Sequence, residues 1–195
     1  MKKTILYKTL FFCWTILALT GCDLDLQKNY DYEPSVDDPY VKVTAWEYFQ
    51  DHKDMFSELI AAIEYTGLKD YYTQTDNKYT FLAYRENEFA GVASITDCDK
   101  EKVKNMLLYH IVDGEYSSYG QLQVEPMFVL TMLKGETGLM TMSVWKNPWQ
   151  AAVGKILVNQ TGSNGKSPQR QAKTSNILPT NGVIHIFENY CKYSK

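Results

Sequence analysis

One short apolar run limits the choice of folds more than any other stretch of the chain: NGVIHIF at residues 181–187. Asn-Gly is a strong turn signal because both residues tolerate positive φ, and the β-branched and aromatic residues that follow favour a strand. A strand that is apolar at nearly every position requires cover on both faces. We therefore predict that this run is the central strand of a single core.

The first 21 residues are typical of a lipoprotein export signal. Lys2 and Lys3 precede an apolar segment at residues 9–19, which is too short to span a bilayer as a stable helix. LTGC at residues 19–22 has the order of a bacterial lipoprotein processing site, in which the Cys22 thiol receives the lipid. We expect residues 1–21 to be removed and Cys22 to anchor the protein to a membrane that the chain does not cross. The alternative is a plain secretory signal with an incidental cysteine.

Residues 22–43 are predicted to form an acidic tether, because they combine acidic residues and two prolines with little apolar periodicity. Removal of the signal takes away three lysines and no acid, so the net charge becomes more negative by three than the −3 of the full sequence. Binding to phosphates requires lysine and arginine, so we predict no nucleic-acid partner.

Two cysteines remain after processing, Cys98 and Cys191, since Cys13 leaves with the signal and Cys22 is acylated. Two thiols in an exported protein can pair, but the sequence does not show whether these two approach each other. The disulfide stays an open alternative.

Helical and strand patterns over residues 44–195 are typical of one α+β domain. Thr44 and Glu47 form a capping box for a first helix, which breaks near His52 and ends at Gly67. A later helix over 97–112 has His110 on its apolar stripe, where a core histidine is the usual interpretation. Mostly antiparallel strands are predicted at 79–84, 128–133, 139–145, 155–160 and 183–187, with a helical turn at 85–90 and a loop at 162–175.

Four segments carry recognisable motifs. TFLAYRENEF at 80–89 is similar to T-V-F-A-P-T-N-E-A-F, LLYHIVDG at 107–114 to L-L-Y-H-V-V-P-G, and TNGVIHIF at 180–187 to T-N-G-V-I-H-V-I, while LTMLKG at 130–135 resembles a T-L-x-G segment that lies between them. Together they resemble the signatures of the fasciclin (FAS1) domain family. Tyr84 and Glu86 replace the usual proline and asparagine of the first signature. The resemblance covers about residues 41–193 and implies a β-sandwich or wedge packed with several helices, in a non-catalytic adhesion or cell-surface role.

Candidate ligand-binding residues are few. Trp145 and Trp149 flank an Asn-Pro turn, and exposed indole rings stack on sugars and on partner side chains. The alternative is that one or both rings cover the core. Tyr109 and His110 match a pair that is linked with integrin adhesion in some animal members of the family. For that pair we favour a structural interpretation.

The sequence contains no recognisable catalytic, cofactor or metal motif. His52, His110 and His185 are the only histidines, and none has metal-ligand spacing. The open alternative is that His110 and His185 meet an acidic residue in space. We expect a non-enzymatic, lipid-anchored module at the cell envelope, on the outer membrane or displayed at the surface, that binds an extracellular or envelope protein or a glycan. The alternative is an accessory or structural subunit of an outer-membrane uptake assembly.

Overall fold

The computed structural model describes residues 38–85, 95–145, 155–160 and 168–191. The predictions for the signal, Cys22, the turn at 85–90 and Trp149 lie wholly or mainly outside these ranges. No helix within them is long and apolar enough to cross a membrane. The helices that they contain are α1 (Ala45–Asp51), α2 (Lys53–Thr66), α3 (Lys69–Thr73) and α4 (Lys100–Tyr109), with 3-10 turns at Ile95–Asp97 and Glu136–Gly138.

The described residues form seven strands: β1 (Tyr79–Tyr84), β2 (Ile111–Asp113), β3 (Met127–Leu130), β4 (Leu139–Trp145), β5 (Lys155–Val158), β6 (Arg170–Ile177) and β7 (Gly182–Phe187). They make one sheet in the order β2-β1-β7-β6-β5-β4-β3. Neighbouring strands are antiparallel except for β1 and β7, which are parallel. The two outer strands also approach each other, because Val112 bridges to Thr131 and the Met132 N–H donates to the Ile111 carbonyl at 2.8 Å. The sheet therefore curls into a near-barrel.

The prediction for residues 181–187 is confirmed, since β7 lies between β1 and β6 and all of its residues are buried. Side chains of a strand alternate between two faces. Ile184 and Ile186 join the cluster that contains Met106 of α4. Phe187 joins a second cluster inside the curled sheet. The α+β class and the cover of β7 by helices are thus as predicted.

The helix boundaries follow local capping. The Thr44 hydroxyl accepts from the Glu47 N–H at 3.3 Å, and the Glu47 carboxylate accepts from the Thr44 N–H at 2.8 Å, which confirms the capping box. The break at His52 is also confirmed, and Gly67 ends α2 with φ of 74°. In contrast, the helix predicted over 97–112 is shorter. Asp99 caps α4, and the chain becomes extended after His110.

The early end of α4 has a clear physical cause. Ile111 and Val112 are β-branched residues, and they pair with Phe81 and Thr80 of β1 to form β2. The free energy gained from strand pairing outweighs the free energy that continuation of the helix would give.

The loop predicted at 162–175 is wrong for its last six residues, which belong to β6. The sequence pattern does not predict this strand, because one of its faces is exposed and polar and because bulges interrupt its register with β7 between Ala172 and Ile177. The strand predicted at 128–133 is also shorter, since it ends at Leu130 and the chain then turns, with Lys134 at φ of 59°.

The predicted tether overlaps the folded domain at its end. The Leu178 N–H donates to the Pro39 carbonyl at 2.8 Å, and the Val41 N–H donates to the Leu178 carbonyl at 3.0 Å. The Thr180 N–H then donates to the Val43 carbonyl at 2.9 Å. Residues 39–43, here called the N-terminal arm, are therefore part of the compact unit, which begins at Asp38.

Candidate functional site: a groove beside the central strand

An open groove of about 570 Å³ lies beside the start of β7. The N-terminal arm supplies one wall with Tyr40 and Lys42, and a second wall comes from residues 115–121. Lys78 and five residues between Leu178 and Val183 complete the lining. The volume falls in the range of small-molecule sites, so the groove is a candidate binding site.

Asn181 holds the helices against this part of the sheet. The Ala45 N–H donates to its Oδ1 at 2.9 Å, and its Nδ2 donates to the Tyr72 carbonyl at 2.9 Å. We call this set of contacts the helix latch. Asn181 is fully buried and is not among the residues with positive φ. It therefore contributes to the structure through the hydrogen bonds of its amide group and not through the turn conformation that the Asn-Gly sequence predicts.

Gly182 allows β7 to pass close to β1. It pairs with Tyr79 in the parallel register, and its φ of 149° is one that L side chains rarely adopt. A Cβ atom at this position would lie 1.8 Å from the Tyr79 carbonyl oxygen. Only glycine fits here.

A buried threonine on β1 fixes the second wall of the groove. The Thr80 hydroxyl donates to the Gly114 carbonyl at 2.8 Å and accepts from the Tyr116 N–H at 2.8 Å. His185 of β7 adds to this, because its Nε2–H donates to the Tyr116 carbonyl at 2.7 Å. Residues 114–122, here called the groove loop, are thus held to the sheet by side chains.

Asn176 holds the next part of the groove loop. The Ser118 N–H donates to Asn176 Oδ1 at 3.0 Å, and Asn176 Nδ2 donates to the Ser118 hydroxyl at 2.6 Å. Asn176 itself has φ of 62°, a conformation that asparagine tolerates better than most residues. We call Thr80, Asn176 and His185 together the loop network.

His185 is a neutral ring in this network. Its Nδ1 accepts from the Asn176 N–H at 3.2 Å, which leaves the proton on Nε2 to donate to Tyr116. Burial lowers the pKa of His185 to about 4, and the bond to the Tyr116 carbonyl acts weakly in the other direction. A second proton has no acceptor at Nδ1, so the imidazole serves as a fixed spacer at neutral pH.

His110 is also neutral, with the opposite tautomer. Its Nδ1–H donates to the Met106 carbonyl at 2.7 Å, and its Nε2 accepts from the Cys191 N–H at 2.8 Å. Burial lowers the pKa of His110 to about 4. The ring therefore ties α4 to the C-terminal segment, in agreement with its interpretation as a core residue.

The predicted pair Tyr109 and His110 lies inside the protein. Tyr109 is fully buried, and its hydroxyl donates to Asn159 Oδ1 at 3.2 Å. Neither side chain offers a surface to a ligand. His110 and His185 do not form a joint site with an acid, because both nitrogens of each ring bond to backbone groups. Within the described ranges, no three histidine, cysteine or acidic side chains are grouped as metal ligands.

The two remaining cysteines are free thiols in the structure. Cys98 is partly exposed and Cys191 is fully buried, and burial raises the pKa of the Cys191 thiol to about 12. The Cys191 sulfur is accordingly a protonated, apolar part of the core at neutral pH.

Of the two predicted tryptophans, Trp145 ends β4 with 42% of its surface exposed. The sequence analysis did not predict the two exposed rings that line the groove, Tyr40 at 68% and Tyr119 at 64%. The signals were weak, since Tyr40 follows a proline in the predicted tether and Tyr119 precedes a glycine in a polar loop.

A curled mixed sheet and a helical layer, with an open groove beside the central strand, together define a compact α+β domain. A family model described as the Fasciclin domain matches residues 54–190. The chain belongs to the fasciclin domain family, which confirms the resemblance found in its sequence.

Two relatives place this membership in context. Human periostin is 27% identical over 137 residues, which are 68% of this chain and 14% of periostin. A solved FAS1 domain pair from the insect cell adhesion molecule Fasciclin I aligns with a TM-score of 0.51 at 15% identity, over 76% of this chain and 50% of the solved one. The chain thus spans at most half the length of these relatives. At this identity the structural likeness shows the shared fold.

Proposed function

We propose that the protein is a non-enzymatic, lipid-anchored adhesion module of the cell envelope that binds an extracellular protein or glycan. The observation that carries this proposal is a fasciclin fold with an open groove whose walls present exposed tyrosine rings. Fasciclin domains are generally non-enzymatic modules related to adhesion, and the solved insect relative is a cell adhesion molecule.

The N-terminal motif supports the anchoring part of the proposal. LTGC at residues 19–22 places the lipidated Cys22 ahead of the compact unit, which begins at Asp38. Extended chain advances by about 3.3–3.6 Å per residue, so the span of residues 23–37 has an upper limit of roughly 50 Å.

The test combines lipid labelling with adhesion. Cells that express the protein should incorporate labelled palmitate into it, and Cys22→Ser should abolish the label and release the protein from the membrane fraction. Protease treatment of intact cells should remove the wild-type protein, and adhesion of these cells to an extracellular-matrix or glycan-coated surface should exceed that of cells without it. Complete protection from protease, or unchanged adhesion, would contradict the proposal.

The alternative role in an uptake assembly predicts a different result. In that case the protein should co-purify in detergent with outer-membrane proteins in a fixed ratio, and cell adhesion should not depend on it. Cys22→Ser would then impair uptake instead of adhesion.

A further inference from the structure

We propose that the groove between the N-terminal arm and the groove loop is a carbohydrate site that takes a short oligosaccharide. This inference rests on the proposed binding function and assigns that function to one place on the molecule.

The first argument is the position of the tyrosine rings. Tyr40 stands on the N-terminal arm and Tyr119 on the groove loop, so each wall of the groove supplies one exposed ring. Among the described residues, neither ring packs against another aromatic ring. Tyrosine presents an apolar face together with a polar hydroxyl, which suits the apolar face and the hydroxyl rim of a sugar ring.

The second argument is the mixture of hydrogen-bonding groups. Lys42 offers donors, Glu115 offers acceptors and the Gln121 amide offers both, and all three side chains are exposed at the groove. Sugar hydroxyl groups both donate and accept, so they match such a mixed set. A strongly anionic ligand would call for more positive charge than this site and this acidic chain provide.

The third argument disfavours an extended peptide. Peptides that bind at a sheet edge gain affinity from free backbone groups. Here the Leu178 N–H and carbonyl already bond to the N-terminal arm, the Thr180 N–H bonds to Val43, and the Thr180 carbonyl accepts from the Lys78 ammonium group. The arm has taken the place that an added strand would occupy.

The groove is also held in a defined shape before any ligand binds. Thr80, Asn176 and His185 fix the groove loop through side-chain bonds of 2.6 to 3.0 Å to Gly114, Tyr116 and Ser118. Preorganisation of this kind reduces the entropy that a ligand must overcome on binding. It suits a flexible, strongly hydrated ligand such as a saccharide.

The test uses the full-length protein in detergent and a panel of immobilised neutral and uronic-acid-containing oligosaccharides. Wild-type protein should bind a subset of the panel. Tyr40→Ala and Tyr119→Ala should each weaken that binding at least tenfold, and the double variant should abolish it. Because both side chains are largely exposed, the variants should melt at the wild-type temperature, which is measured in parallel.

Phe128→Ala is the matched control, since it removes an exposed aromatic ring outside the groove. It should bind the panel as the wild type does. Loss of binding in this variant, with binding by Tyr40→Ala and Tyr119→Ala intact, would overturn the inference. Failure of the wild type to bind any saccharide, or binding of peptides alone, would also overturn it.

The adhesion assay separates this inference from the proposed function. If cells adhere through the protein but Tyr40→Ala and Tyr119→Ala cells adhere equally well, the adhesion proposal stands and the groove assignment fails. If cells do not adhere through the protein but the purified chain binds saccharide through the two tyrosines, the groove assignment stands and adhesion fails.

Discussion

The helix latch and the loop network both depend on buried polar side chains beside β7, yet they secure different things. The latch joins two helices to the sheet through the single amide of Asn181. The loop network joins a surface loop to the sheet through three side chains on three strands. Substitutions in the helix latch should therefore lower the free energy of unfolding, whereas substitutions in the loop network should mainly weaken ligand binding in the groove.

Gly182→Ala should have the largest effect on stability, because Gly182 lies where the start of β7 passes closest to β1. The added Cβ would overlap the Tyr79 carbonyl, whose backbone cannot move aside cheaply. We expect a loss of at least about 4 kcal/mol in the free energy of unfolding, enough to leave little folded protein. Denaturant titration measures this.

Gly120→Ala is the control, since its added Cβ would meet nothing within 4 Å. It should be nearly neutral. A Gly182→Ala protein as stable as the wild type would contradict the close parallel pairing of β1 and β7.

Asn181→Ala should come next. It leaves the Ala45 N–H and the Tyr72 carbonyl buried without their partner, at a cost of about 2–4 kcal/mol in unfolding free energy. Protein that remains folded should still bind in the groove with wild-type affinity. Reduced affinity with unchanged stability would show that the latch and the network are not separate.

The two buried histidines should make stability fall in acid. Each has a pKa of about 4 when folded, below the ordinary 6.5, so the unfolded chain takes up the proton first. Their contribution is complete above pH 6.5 and declines as the pH falls toward 4. The limit is about 3 kcal/mol for each ring. Urea titrations at a series of pH values measure the decline.

His110→Gln and His185→Gln should each remove one ring's share of this pH dependence. Only His185→Gln should also weaken binding in the groove, since only His185 contacts the groove loop. Equal effects of the two variants on binding would remove the distinction between the regions.

Thr80→Val should have the smallest effect on stability and a large effect on binding. Valine keeps the shape of threonine but cannot bond to Gly114 and Tyr116, which we expect to cost about 1–2 kcal/mol. The groove loop should then move. Its displacement can be followed by faster amide hydrogen exchange in residues 114–122, with the helices unchanged.

The features that sequence could predict are those with a local cause. The nearly continuous apolar sequence of β7 indicates that the strand is buried, and the capping box of Thr44 and Glu47 marks the start of α1 without reference to the rest of the chain. The family motifs are also continuous stretches of sequence, and they indicate the fold of the domain.

The features that sequence could not predict depend on distant partners. β6 is polar on its outer face and has a broken register, so nothing in its own residues distinguishes it from a loop. The groove is built from segments far apart in the chain, and Tyr40 acquires its position only when the N-terminal arm pairs with Leu178. Asn181 could be located from its motif, but its contacts with α1 and α3 could not.

The N-terminal arm has a mechanical consequence. Tension on the chain ahead of Asp38 would reach the domain first at the backbone bonds of Pro39, Val41 and Val43, well before it reached the packed interior. Because the same segment bears Tyr40 and Lys42, its detachment would remove the arm's part of the groove lining. Under the proposed anchoring at Cys22, tension on the chain would therefore set the lifetime of a ligand bound in the groove.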